Sequence, residues 1–184
     1  MKYNPDIHHR KSIRLKGYDY SSEGLYFITI CTQNREYLLG EIIDGRMFLN
    51  DIGEIVEKEI IKTNEIRKNV KIEEYVIMPN HIHFVIEILE LGFSSGKPLQ
   101  EIKSDENVGC LPLANPNKLM PNTIGSIVNQ IKSKITKEVR KNTNIYDIWQ
   151  RNYYENIIRN EKTYLKVLEY IENNPIKWDE DRYR

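Results

Sequence analysis

The chain has 184 residues, 27 Lys+Arg against 27 Asp+Glu for a formal net charge of zero, 40% hydrophobic and 29% charged residues. That length supplies one core of ordinary size, and that composition excludes a disordered or fibrous chain, so a single domain over 1–184 is expected. No run approaches the roughly 20 apolar residues that cross a bilayer, the start lacks the apolar centre of a signal peptide, and Cys31 and Cys110 form no disulfide or zinc framework; no membrane partner and a reducing, cytoplasmic setting are expected.

Residues 1–22 are polar and basic, with Lys2, Arg10, Lys11, Arg14 and Lys16, and read equally as an arm or a first strand. Leu25–Thr32 is β-branched and aromatic, which predicts a central strand. Asp44-Gly45 between apolar runs is a hairpin signal. Asp51 opens a helix to about Arg67, with Glu54 three residues on as in a capping box. Lys71–Met78 and His81–Ile88 then alternate as two strands joined tightly at Pro79-Asn80. Residues 91–122, rich in Gly and Pro, read as a flexible surface insertion.

From Thr123 to about Lys141, Ile124, Ile127, Val128, Ile131 and Ile135 recur at helical spacing, and Lys132, Lys134, Lys137, Arg140 and Lys141 lie off that stripe. A last helix starts at the N-cap residue Asn160 and must stop at Pro175. Strand, hairpin, helix, two strands and two helices imply an α+β fold, an antiparallel sheet covered by helices.

Two features carry chemistry. On a strand, His81, His83, Val85 and Glu87 share one face, while Ile82, Phe84, Ile86 and Ile88 form the apolar opposite face. Two imidazoles about 6.7 Å apart at Cα can converge on one divalent ion, although such a site wants a third ligand, and an ordinary half-buried sheet face is an equal alternative. On the last helix, Tyr164, Val167, Leu168 and Ile171 form the apolar stripe, with Tyr170 at its border and Asn174 one turn on. By pattern alone a border tyrosine is usually a packing residue, and a special role is the lesser alternative, since its hydroxyl stays reachable beside the Asn174 amide.

Tyr75-Val-Ile-Met-Pro-Asn-His-Ile-His-Phe84 resembles the His-hydrophobic-His signature of single-tyrosine HUH transposases. Arg10–Tyr20, Phe27–Arg35, Trp149–Arg159 and Tyr170–Pro175 resemble the REP-associated tyrosine transposase branch, so that the resemblance spans nearly the whole chain except residues 91–122. The resemblance implies a ferredoxin-like fold and cleavage and rejoining of single-stranded DNA beside a hairpin. It implies Tyr170 as nucleophile forming a 5′-phosphotyrosine, and His81, His83 and Asn174 around Mg²⁺ or Mn²⁺. Mg²⁺ prefers oxygen ligands, so such a site is expected to be weak and exchangeable. Arg14, Lys134, Lys137, Arg140, Arg151 and Arg159 are candidate phosphate contacts, and Trp149, Tyr153 and Tyr154 candidate stacking platforms for unpaired bases, with a core Trp149 and a merely solvated lysine face as the equal alternative. The resemblance leaves monomer and homodimer open. A catalytically silent hairpin-binding protein of the same fold is the alternative, with a His-x-His metallohydrolase ranked below it because only Glu87 stands near as a further ligand.

Overall fold

The computed structural model describes residues 19–89 and 123–184. Arg14, the rest of the basic start and residues 91–122 therefore lie outside the described residues. Four strands form the main sheet: β1 (Gly24–Cys31), β4 (Val70–Met78), β5 (His81–Ile88) and β6 (Tyr154–Ile158). Their order is β4-β5-β1-β6 and every neighbouring pair is antiparallel. With α1 (Asp51–Ile66) and α2 (Ile124–Asn142), the chain order becomes β1-α1-β4-β5-α2-β6, the ferredoxin-like plan expected from the sequence. A small hairpin, β2 (Gly40–Ile43) and β3 (Arg46–Leu49), is inserted before α1, and α3 (Glu161–Asn173) follows β6.

Period-two alternation assigns the two sheet faces. Tyr26, Ile28 and Ile30 of β1 and Ile82, Phe84 and Ile86 of β5 are fully buried against α1 and α2, whose Val56, Ile60, Ile127, Ile131 and Ile135 complete the main core. On the opposite face, Leu25, Phe27, Val76 and Val85 meet Ile158, Tyr164, Val167 and Ile171, so α3 packs there. His81 and His83 share the parity of Val85, which puts them on the α3 side. A register shift between Ile72 and Tyr75 lets β4 turn Ile72 and Tyr75 toward the same core although their numbers differ in parity.

Three sequence expectations are corrected. The N-cap of α1 is Asn50, whose side chain accepts from the Ile52 and Gly53 amides; Asp51 is already helical. Residues 154–158 form an edge strand, where the sequence reading placed no element. A 3-10 turn at Trp178–Glu180 folds residues 178–184 back toward the sheet, also unanticipated. The Asp44-Gly45 turn appears as expected, with positive φ at both residues.

Candidate active site

β5 begins at His81, directly after the Pro79-Asn80 turn, so the two imidazoles emerge at the end of a central strand. Their ring centroids are 4.5 Å apart. Each is held at Nδ1: His81 by Asn80 Oδ1 at 2.7 Å and His83 by Thr29 Oγ1 at 2.8 Å. The Asn80 amide nitrogen donates to the carbonyls of Tyr183 (2.8 Å) and Arg35 (3.4 Å), so its oxygen is the acceptor and His81 Nδ1 carries the hydrogen. That tautomer leaves a lone pair on His81 Nε2, a buried atom without a partner.

α3 delivers the tyrosine. Tyr170, 38% exposed, places its hydroxyl 3.2 Å from His83 Nε2 and 3.2 Å from Asp181 Oδ2. Phe27 stacks on His83 and stands edge-on to Tyr170, fixing both rings. Asn174, one turn beyond Tyr170 and 3% exposed, donates from Nδ2 to Asp181 Oδ2 at 3.0 Å, and its Oδ1 is buried without a partner. Burial, with Asp181 adding its negative charge, pushes the Tyr170 phenol up to about 12. Burial also drives His81 down to about 4 and His83 well below the ordinary imidazole value, so both rings are neutral near pH 7.

Nδ1 or Nε2 of His81 and His83 and a carboxylate oxygen of Asp181 lie within 4.8 Å of one another, a grouping that can hold a cation. His81 Nε2 and Asn174 Oδ1 are buried without a partner, Asn174 is bonded to Asp181, and neutral imidazoles with an oxygen donor suit a borderline divalent ion. The residues present therefore fit a divalent metal.

Both imidazoles are fully buried, and what covers them is the chain after α3. Tyr183 packs on both rings at 5.1 and 5.5 Å, and Trp178 stacks at 6.2 Å from His81. Arg35, with Asn34 in the left-handed region, donates to the Arg182 carbonyl, and Asp181 Oδ1 accepts from the Tyr183 amide. The rings thus point toward Tyr170 and this covering segment, away from the aliphatic core on the other face.

Of the residues expected at the site, Tyr170, His81, His83 and Asn174 come together. Asp181, Tyr183, Thr29 and Asn80 were missed. The nucleic-acid candidates fare differently. Lys134, Lys137 and Arg140 ride on α2, which packs on the sheet face opposite Tyr170, so they do not border this site. Arg140 is moreover bound to the Tyr146 carbonyl at 2.6 and 3.2 Å. Trp149, 9% exposed, belongs to the main core and bridges to Thr32 beside β1, a position that offers no ring face to a base. Tyr153 packs half-buried against that core, whereas Tyr154, Arg151 and Arg159 are exposed.

The sheet order and the three helices of the described residues make an α+β fold of the kind found in a REP-associated tyrosine transposase, as the sequence resemblance implied. A solved structure of such a transposase bound to a REP hairpin superposes with a TM-score of 0.56 at 21% identity, covering 90% of this chain and 74% of that one. A Haemophilus influenzae protein carrying the name of a REP-associated tyrosine transposase is 27% identical over 167 residues, 86% of this chain and 74% of that protein. The chain belongs to the same family as an uncharacterized protein of Haemophilus influenzae, 49% identical over 183 residues that span 98% of this chain and 96% of that protein. No family model matches the chain. Among the described residues no helix is long and apolar enough to cross a membrane.

Proposed function

We propose that this protein is a metal-dependent single-tyrosine transposase that cleaves and rejoins single-stranded DNA next to a hairpin. The observation that carries the reading is the Tyr170 hydroxyl 3.2 Å from His83 Nε2, within a cluster of two neutral imidazoles, a carboxylate and a buried amide oxygen. Support for a DNA partner comes from the relative solved with a REP hairpin and from the relative named a REP-associated tyrosine transposase.

In this reading the Tyr170 phenolic oxygen attacks phosphorus, the bond from phosphorus to the 3′-oxygen breaks, and the products are a 5′-phosphotyrosine and a free 3′-hydroxyl. The covalent ester conserves the phosphodiester for rejoining by the reverse step. A phenol held near 12 gives up its proton reluctantly; Asp181 already accepts its hydrogen at 3.2 Å and serves as the base, His83 Nε2 at the same distance being kept for the ion. His81 and His83 would hold the divalent ion, Mg²⁺ or Mn²⁺, with Asn174 Oδ1 and the Asp181 carboxylate offering oxygens. When bound, such an ion supplies charge stabilisation at the scissile phosphate oxygens. Asn80 and Thr29 orient the imidazoles, and Phe27 keeps Tyr170 and His83 in register.

The covering segment 178–184 favours a second reading, a hairpin-binding protein of the same fold that does not cut, because Trp178 and Tyr183 pack over His81 and Tyr183 over His83, leaving both imidazoles buried. Nicking of a labelled hairpin with a single-stranded flank separates the two. We expect Mn²⁺-supported nicking that is lost on chelation and in His81→Ala with His83→Ala. Hairpin binding with no nicking at any metal concentration would establish the second reading.

A further inference from the structure

Tyr170 lines two cavities. One, of about 490 Å³, lies between α3 and residues 177–182 and mixes Glu169, Glu180 and Asp181 with Lys166, Lys177 and Arg182. The other, of about 450 Å³, lies between β6 and α3 and carries Lys166 and Arg182 with no carboxylate among its described lining residues. A strand bringing a phosphodiester to Tyr170 carries one negative charge per nucleotide, so the carboxylate-free side is the electrostatically favoured approach.

The second cavity also has the chemistry of a nucleotide site. Its floor is apolar, with Phe27 and Val167, and its rim is polar, with Asn156 and Thr163. Its volume of about 450 Å³ falls in the roughly 300–1,000 Å³ range of small-ligand sites, room enough for a nucleotide. Lys166 stands four residues before Tyr170, on the same side of α3 and about one turn away. Lys166 is exposed and has no ion-pair partner among the described residues, so its charge is free for a phosphate.

We infer that the groove between β6 and α3 is the subsite for the unpaired nucleotide adjoining the scissile phosphate, with Lys166 as its phosphate contact and Asn156 and Thr163 facing the base. The inference rests on the DNA-cleaving reading above and adds to it the cation, Lys166, that meets the strand. Lys166 lines both cavities; the side is assigned by the absence of carboxylates among the described lining residues and by Asn156 and Thr163, which line this one and not the other.

The test compares the full chain with Lys166→Glu, and with Lys162→Glu as a charge-matched control on the same helix outside the groove. Each is titrated without metal against a hairpin bearing a single-stranded flank and against the same hairpin without it, by fluorescence anisotropy over a range of salt. Lys166→Glu is expected to weaken binding of the flanked hairpin about tenfold and to shrink its salt slope by roughly 0.7, with the unflanked hairpin and the control little changed. Equal loss in Lys162→Glu, or unchanged flanked-hairpin binding in Lys166→Glu while the parent protein binds DNA, would overturn the subsite and leave the DNA reading standing. No binding of either hairpin by the parent protein would overturn both.

Discussion

Asn80 occupies the turn between β4 and β5, and its side chain has three partners: His81 Nδ1 through its oxygen, and the Tyr183 and Arg35 carbonyls through its nitrogen. Few residues could replace it, because a carboxylate lacks the donor and an alanine lacks both groups. Removing the acceptor frees His81 to place its hydrogen on either nitrogen. In Asn80→Ala, Mn²⁺ affinity measured by calorimetry is expected to fall by about 10- to 100-fold, as for other partners of metal-binding histidines. Imidazole ¹⁵N shifts of the metal-free parent protein should show His81 protonated at Nδ1. A parent His81 protonated at Nε2, or an unchanged affinity in the variant, would contradict this role.

At the level of elements, the sequence announces what local periodicity controls. The apolar stripes of α2 and α3 and the alternation of β5 placed those elements to within a residue or two, and Asn160 caps α3 through the Thr163 amide as expected. Tyr154–Ile158 escaped because it is a short edge strand with polar Glu155 and Asn156, supported mainly by pairing with β1. The cations of α2 were read toward the DNA because periodicity says which side of a helix is apolar, not which face of a sheet it covers. Asp181 and Tyr183 had no signal at all: they reach the histidines from an irregular segment whose place is set by tertiary contacts. The capping of α1 was displaced by one residue, and this is testable. Asn50→Ala is expected to cost about 1 kcal/mol in denaturant unfolding, and Asp51→Ala clearly less, since the Asn50 side chain accepts two helix amides. Equal costs would return the cap to Asp51.

For the molecule as a whole, two buried neutral imidazoles make folding depend on pH. In the unfolded chain an imidazole takes its proton near 6.5, whereas native His81 titrates at about 4 and native His83 lies well below its usual value. Below about pH 6.5 the unfolded state therefore binds more protons than the native state, so stability rises with pH across this window and is lost on acidification. The urea midpoint of the metal-free protein should drop between pH 7.5 and pH 5, and the drop should be smaller in His83→Gln. A drop of undiminished size in that variant would assign the pH dependence to other groups.

The same burial makes the candidate centre a closed one: the strand that presents the histidines, the helix that presents Tyr170 and the segment that carries Asp181 and Tyr183 meet at one point. The most direct test of that convergence is to incubate the protein with a flanked DNA hairpin and Mn²⁺, digest it, and map the nucleotide-bearing peptide by mass spectrometry. The mass addition is expected on Tyr170 and absent in Tyr170→Phe, which still binds the hairpin. An adduct on another tyrosine, or one that persists in Tyr170→Phe, would contradict the account.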